Sequence, residues 1–236
     1  MKNVFTNILS FSIVYFALGM VDLSAIYWEQ IEVIRFVTKP LLIILLIVFY
    51  ATNDRESTSS KFVFLIIALG FFLLANVATL FKREPMIIMA ASIFFILGKL
   101  FYIFRFSNHR DFNVIKFLPF IGLYLLYMFL VISLIKPNAG SYLTPILIFL
   151  FVSLMTIQFA FLRKYEVSES SYYIVLLGVF LMLFGDTIKV LGSFYFNWEY
   201  QAIVAMFLYV ISQFLIVMGL AKEKIEIQKT VAEGLR

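Results

Sequence analysis

Cysteine is missing from this 236-residue chain, and histidine occurs once, at position 109. Without cysteine there are no disulfides, no thiolate metal ligands and no sites for S-palmitoylation. One histidine cannot supply the three imidazoles of a zinc site, which excludes membrane hydrolases built that way. No metal and no other cofactor is expected. Charge is scarce too, at 14% of residues, as is proline, with five. Pro119 and Pro145 lie near the starts of apolar runs, where proline costs little.

Apolar residues fill the space, at 63% of the chain with a mean hydropathy of +1.01. A soluble domain of this size has too little interior to hide that much apolar surface. The apolar runs are continuous and near 20 residues long, the length of a helix crossing about 30 Å of hydrocarbon. They do not alternate, which excludes a membrane β-barrel. The expected fold is all-α, a polytopic membrane bundle of about eight transmembrane helices. The runs fall at 4–27, 34–50, 62–81, 86–106, 115–135, 142–162, 172–195 and 201–221. Residues 1–221 read as a single transmembrane domain and 222–236 as a short cytoplasmic tail that continues the last helix. The first run is too long for a signal peptide and lacks a small-x-small cleavage site, so it reads as a retained span.

With the N-terminus inside, about twelve basic residues fall on cytoplasmic segments and about five on outer ones. The cytoplasmic set includes Lys2, Arg55, Lys61, Arg105, Arg110 and Arg163; the outer set includes Arg35, Lys39, Lys82 and Arg83. Both termini are therefore expected in the cytoplasm, and the chain in a bacterial inner (cytoplasmic) membrane. The net charge of +5 follows from this bias and calls for no nucleic acid.

Polar side chains within the spans are costly, by roughly 2.5–3.5 kcal/mol for a charge at the centre. They comprise Asp22, Lys39, Asn76, Lys99, Gln158, Asp186, Lys189 and Gln213. At about 1.5 Å per residue, Asp22 and Lys39 share a level near the outer face of consecutive helices. They read equally well as a snorkelling pair or as functional groups. Asn76 and Asp186 share a deeper level, with Lys99 and Gln213 nearer the cytoplasmic third. Asp186 and Lys189 are spaced i, i+3, so they can pair on one helix face. Lys99 reads first as a counter-ion for Asp186 or a snorkelling cation. A faint internal echo sets LLAN76 with Gly98-Lys99 against FGD186 with Ser212-Gln213, as though two helix pairs shared one cavity.

Four ordered pieces carry a resemblance. They are Thr38-Lys39-Pro40-Leu41, ILGKLFYIFRF at 96–106, FGDTIKVLGSF at 184–194 and FLYVISQFLIVMGL at 207–220. Together they resemble the YhhN-like lysoplasmalogenase family of integral membrane proteins. That family hydrolyses the vinyl ether bond of lysoplasmalogens and releases a fatty aldehyde. The resemblance implies a metal-free acid/base site with Asp186 as one carboxyl group. Asn76 stands where the family has a second aspartate, and Lys99 where it has a histidine. The remaining residues implied for substrate binding are Asp22, Lys39, Lys189, Tyr102, Tyr209 and Gln213. The partner is a membrane lipid or lysolipid.

A second reading follows from the two replacements. Without the second acid, the chain would bind a single-chain lipid as a sensor or partner subunit, with Lys99 holding an anionic head group. A small transporter using an Asp–Lys pair ranks last, because the spans lack the Gly/Pro interruptions that unwind such sites.

Overall fold

The computed structural model describes residues 5–28, 33–53, 60–81, 85–107, 114–196 and 198–234. Its long helices are α1 (Ile8–Tyr27), α2 (Arg35–Asn53), α3 (Ser60–Ala78), α4 (Pro85–Phe106), α5 (Val114–Ala139), α6 (Leu143–Leu162), α7 (Glu169–Phe194) and α8 (Gln201–Gly234). Their starts follow from local chemistry. The Asn7 side chain accepts from the Leu9 amide at the head of α1, and Ser168 accepts from Ser171 at the head of α7. Each satisfies an amide that the first turn leaves without a partner.

Among the described residues, seven segments qualify as membrane spans by length and hydropathy, where about eight were expected. The difference lies in the expected spans 115–135 and 142–162. They belong to one 43-residue apolar run, Phe120–Leu162, joined by the 3-10 turn Gly140–Tyr142. As a straight helix that run would reach about 65 Å, twice the hydrocarbon thickness. Instead it folds back at Gly140, whose φ of +49° suits glycine, and the Tyr124 hydroxyl of α5 meets the Leu154 carbonyl of α6. The expected location of both termini rests on residues outside the described ones, as do Lys2, Arg55, Lys82, Arg83, Arg110 and His109.

Large apolar side chains cover the outside of the bundle, as a lipid-facing surface requires. On α5, Leu125 and Phe129 are 68% and 69% exposed. The main core packs Phe11 and Tyr15 of α1 with Leu42, Ile43 and Leu46 of α2, Phe72 of α3, Tyr102 of α4 and Val217 of α8. A smaller core joins α5, α6 and α7 through Val131, Ile135, Leu150 and Val190.

The tightest seam runs between α7 and α8, and small residues make it. Ser171, Gly178, Gly185 and Gly192 recur every seventh position along one face of α7. The Ser171 hydroxyl donates to the Gly219 carbonyl at 2.7 Å. A Cβ on Gly178 would meet the Ile216 backbone nitrogen and the Ser212 carbonyl oxygen, both at 3.0 Å. Further along, Gly185 faces Leu208 and Ala205, and Gly192 faces Gln201. With no side chain between them, the backbones approach closely, which is how membrane helices gain packing without a hydrophobic force. That contact fixes the depth of Asp186, the residue after Gly185.

Candidate functional site

Asp186 faces α4 and α6. Its Oδ2 accepts from the Lys99 ammonium of α4 at 2.5 Å and from the Ser153 hydroxyl of α6 at 3.1 Å. Lys99 also donates to Ser153 at 2.6 Å, and its ammonium lies 3.6 Å from the centroid of the Phe149 ring. The Ser153 hydroxyl carries one proton for two acceptors, Asp186 and the Phe149 carbonyl one turn back at 2.9 Å. Lys99 is almost wholly buried, whereas the Asp186 side chain keeps 16% of its surface exposed. The carboxylate is thus the reachable member of the pair. An ion pair of this sort persists in an apolar interior only when both charges have partners, as they do here.

The other predicted residues take separate places. Asn76 donates to the Tyr209 hydroxyl at 2.8 Å. The Tyr209 ring meets Phe95 edge-on, and Phe95 meets Phe149 in the same way, so one aromatic ring links the Asn76–Tyr209 pair with the Lys99–Asp186 centre. Tyr102 donates to Gln213 at 2.6 Å, and both are fully enclosed in the core.

Two sequence expectations are corrected. Among the described residues Asp186 forms its ion pair with Lys99, not with Lys189. The Lys189 side chain is exposed, and its ammonium lies 5.3 Å from the Phe95 ring centroid. An i, i+3 spacing permits contact, but the Lys99 side chain reaches Asp186 from another helix and raises its ammonium to that level. At the outer end, Asp22 is engaged by the Thr38 hydroxyl at 2.6 Å and by Arg35 at 3.6 Å. Lys39 instead donates to Thr79, in the turn after α3, at 2.5 Å, and Thr79 donates to the Asn76 carbonyl at 2.8 Å. Asp22 and Lys39 therefore serve different helix contacts.

Beside this centre, α5, α6 and α7 line a partly open apolar cavity of about 760 Å³. Phe120, Leu123 and Tyr124 line it from α5, Leu154, Ile157 and Phe161 from α6, and Phe180 and Leu183 from α7. Tyr127 closes the end nearest the ion pair, its hydroxyl 2.7 Å from Thr187, the neighbour of Asp186. On the α6 wall, Tyr124 hydrogen bonds to Gln158. Sequence reasoning missed Ser153, Tyr127 and Thr187. Serine and threonine in membrane helices commonly bond back to the carbonyl one turn earlier, so nothing in their spacing marks Ser153 or Thr187, and Tyr127 is one tyrosine among the 13 of the chain.

A family model described as the YhhN family matches residues 34–220, from the last turn before α2 into α8. The chain belongs to the YhhN family. No curated protein and no solved structure matches it. The matched YhhN segment contains Asn76, Lys99, Ser153 and Asp186, together with every residue lining the cavity. Membership supports a lipid-related role for an integral membrane protein.

Proposed function

We propose that this YhhN protein is a lysoplasmalogenase-like hydrolase of the bacterial cytoplasmic membrane. The observation that carries the reading is the placement of the Lys99–Asp186–Ser153 cluster beside an apolar cavity suited to a single aliphatic chain.

The proposed reaction needs one proton donor and one charge partner. A proton from the Asp186 carboxyl group, the reachable member of the pair, adds to the carbon of the vinyl ether farther from oxygen, which leaves an oxocarbenium ion and a carboxylate held by Lys99. Asp186 stabilises that cation, much as a carboxylate does in glycoside hydrolysis. Water adds to the cationic carbon and returns a proton to the Asp186 carboxylate, forming a hemiacetal. The hemiacetal collapses to a fatty aldehyde, its hydroxyl proton passing to the departing glycerol oxygen. Ser153 holds both charged groups in register.

The test is aldehyde release from a lysoplasmalogen by purified protein. Asp186→Ala is expected to reduce release to that of a lipid-only blank. Wild-type protein that releases no aldehyde above the blank across pH 5–8 refutes the proposal.

One observation favours the second reading, a lipid-binding member without turnover. Asn76 fills the place of the family's second acid and is already bound to Tyr209. On this reading a single-chain lipid co-purifies without being cleaved, and Asn76→Asp introduces activity that the wild type lacks.

A further inference from the structure

Remote from the ion pair, at the end of the bundle where α4 and α6 finish, two arginines share one carboxylate oxygen. Arg105 of α4 approaches Glu223 Oε2 at 3.2 Å, and Arg163, in the turn after α6, does so at 2.7 Å. Both arginines are 1% exposed, and Glu223 of α8 is 8% exposed. The Phe106 ring backs the group, 5.2 Å from the Arg163 guanidinium carbon.

The carboxylate does not exhaust the donors. Nε and Nη1 of Arg105 and Nη1 of Arg163 are buried without a hydrogen-bond partner. Lys61, at the start of α3, and exposed Glu166 lie near enough to act electrostatically on Arg163. Buried donors on a charged group are costly to leave unmade, and a planar guanidinium fork matches the oxygens of a phosphate. Basic pockets between membrane helices at the cytoplasmic face hold lipid head groups by this means.

We propose that the Arg105–Arg163 cluster binds a phosphate-type anion, presented by a membrane phospholipid or free in solution, on the N–H groups that Glu223 leaves open. Partly exposed Lys61 marks its approach. Glu223 then acts as an internal competitor, holding the two arginines together and limiting affinity for the outside anion.

The experiment compares the thermal midpoint of the full chain in nanodiscs of phosphatidylcholine alone and of phosphatidylcholine with phosphatidylglycerol. A parallel series adds inorganic phosphate to the neutral discs. Wild type is expected to gain several degrees from the anionic lipid. Glu223→Gln is expected to gain more, and Glu223→Gln with Arg105→Gln to gain little or nothing. Glu223→Asp, which withdraws the carboxylate by one methylene, gives the same direction as Glu223→Gln if the latter folds poorly. A rise with inorganic phosphate alone assigns the site to free anions; a rise confined to phosphatidylglycerol assigns it to lipid. The same gain in all variants, which marks general surface attraction, overturns the proposal, as does no gain in any.

Discussion

Replacing Lys99 with methionine keeps most of the side-chain volume but leaves Asp186 with the Ser153 hydroxyl as its remaining partner of the two. Breaking one side of a buried ion pair costs about 3–5 kcal/mol. The 16% exposure of the Asp186 side chain, and the option of taking up a proton, argue for the lower end. Loss of the contact over the Phe149 ring contributes about 1 kcal/mol of the total. For a chain of this size, about 3 kcal/mol corresponds to a fall of roughly 6–12 °C in thermal midpoint. Lys99→Met combined with Asp186→Leu removes both charges and is expected to fall by only about 1 kcal/mol, because a well-packed apolar pair matches a buried ion pair. The measurement is a double-mutant cycle by thermal unfolding in one detergent, with Asp186→Leu as the fourth corner. A double variant that falls as far as the sum of the two single variants refutes the coupling inferred from the geometry.

The α7–α8 seam is tested by two glycines of opposite surroundings. Gly178→Ala is expected to lose about 1–3 kcal/mol, since its Cβ would meet Ile216 and Ser212 backbone that cannot move aside. Gly70→Ala, with open space around it, is expected to be neutral or up to about 1 kcal/mol more stable by thermal unfolding. Leu183→Trp is expected to fill the cavity between α5, α6 and α7 and lower the single-chain lipid that co-purifies, read by mass spectrometry of extracts. Burial lowers the Arg163 pKa to about 10, so this residue is charged in folded and unfolded chains alike at neutral pH. It is expected to add no pH dependence between about pH 6 and 8, and to raise stability only as pH climbs past about 10, where the folded chain releases its proton first. The thermal midpoint measured against pH checks this.

Much of this protein was settled by the order of its residues alone. Long apolar runs without alternation require helices in a bilayer, because each backbone polar group must be satisfied within its own segment. The cost of a buried charge made Asp186 and Lys99 conspicuous against Leu, Phe and Ile, whatever their partners. The small residues at 171, 178, 185 and 192 also mark a face in the sequence, though not the helix that lies against it. Pairing was a different matter. Local spacing offered Lys189 to Asp186 and Lys39 to Asp22, and Lys99 also read as a counter-ion for Asp186; the fold decided for Lys99, with Ser153, in the first case and for Thr38 with Arg35 in the second. Helix periodicity says which side chains share a face, but a partner on another helix depends on rotation and depth. Those are set by close packing such as the α7–α8 seam, so the ion pair, the cavity beside it and the Arg105–Glu223–Arg163 cluster exist only in the assembled bundle.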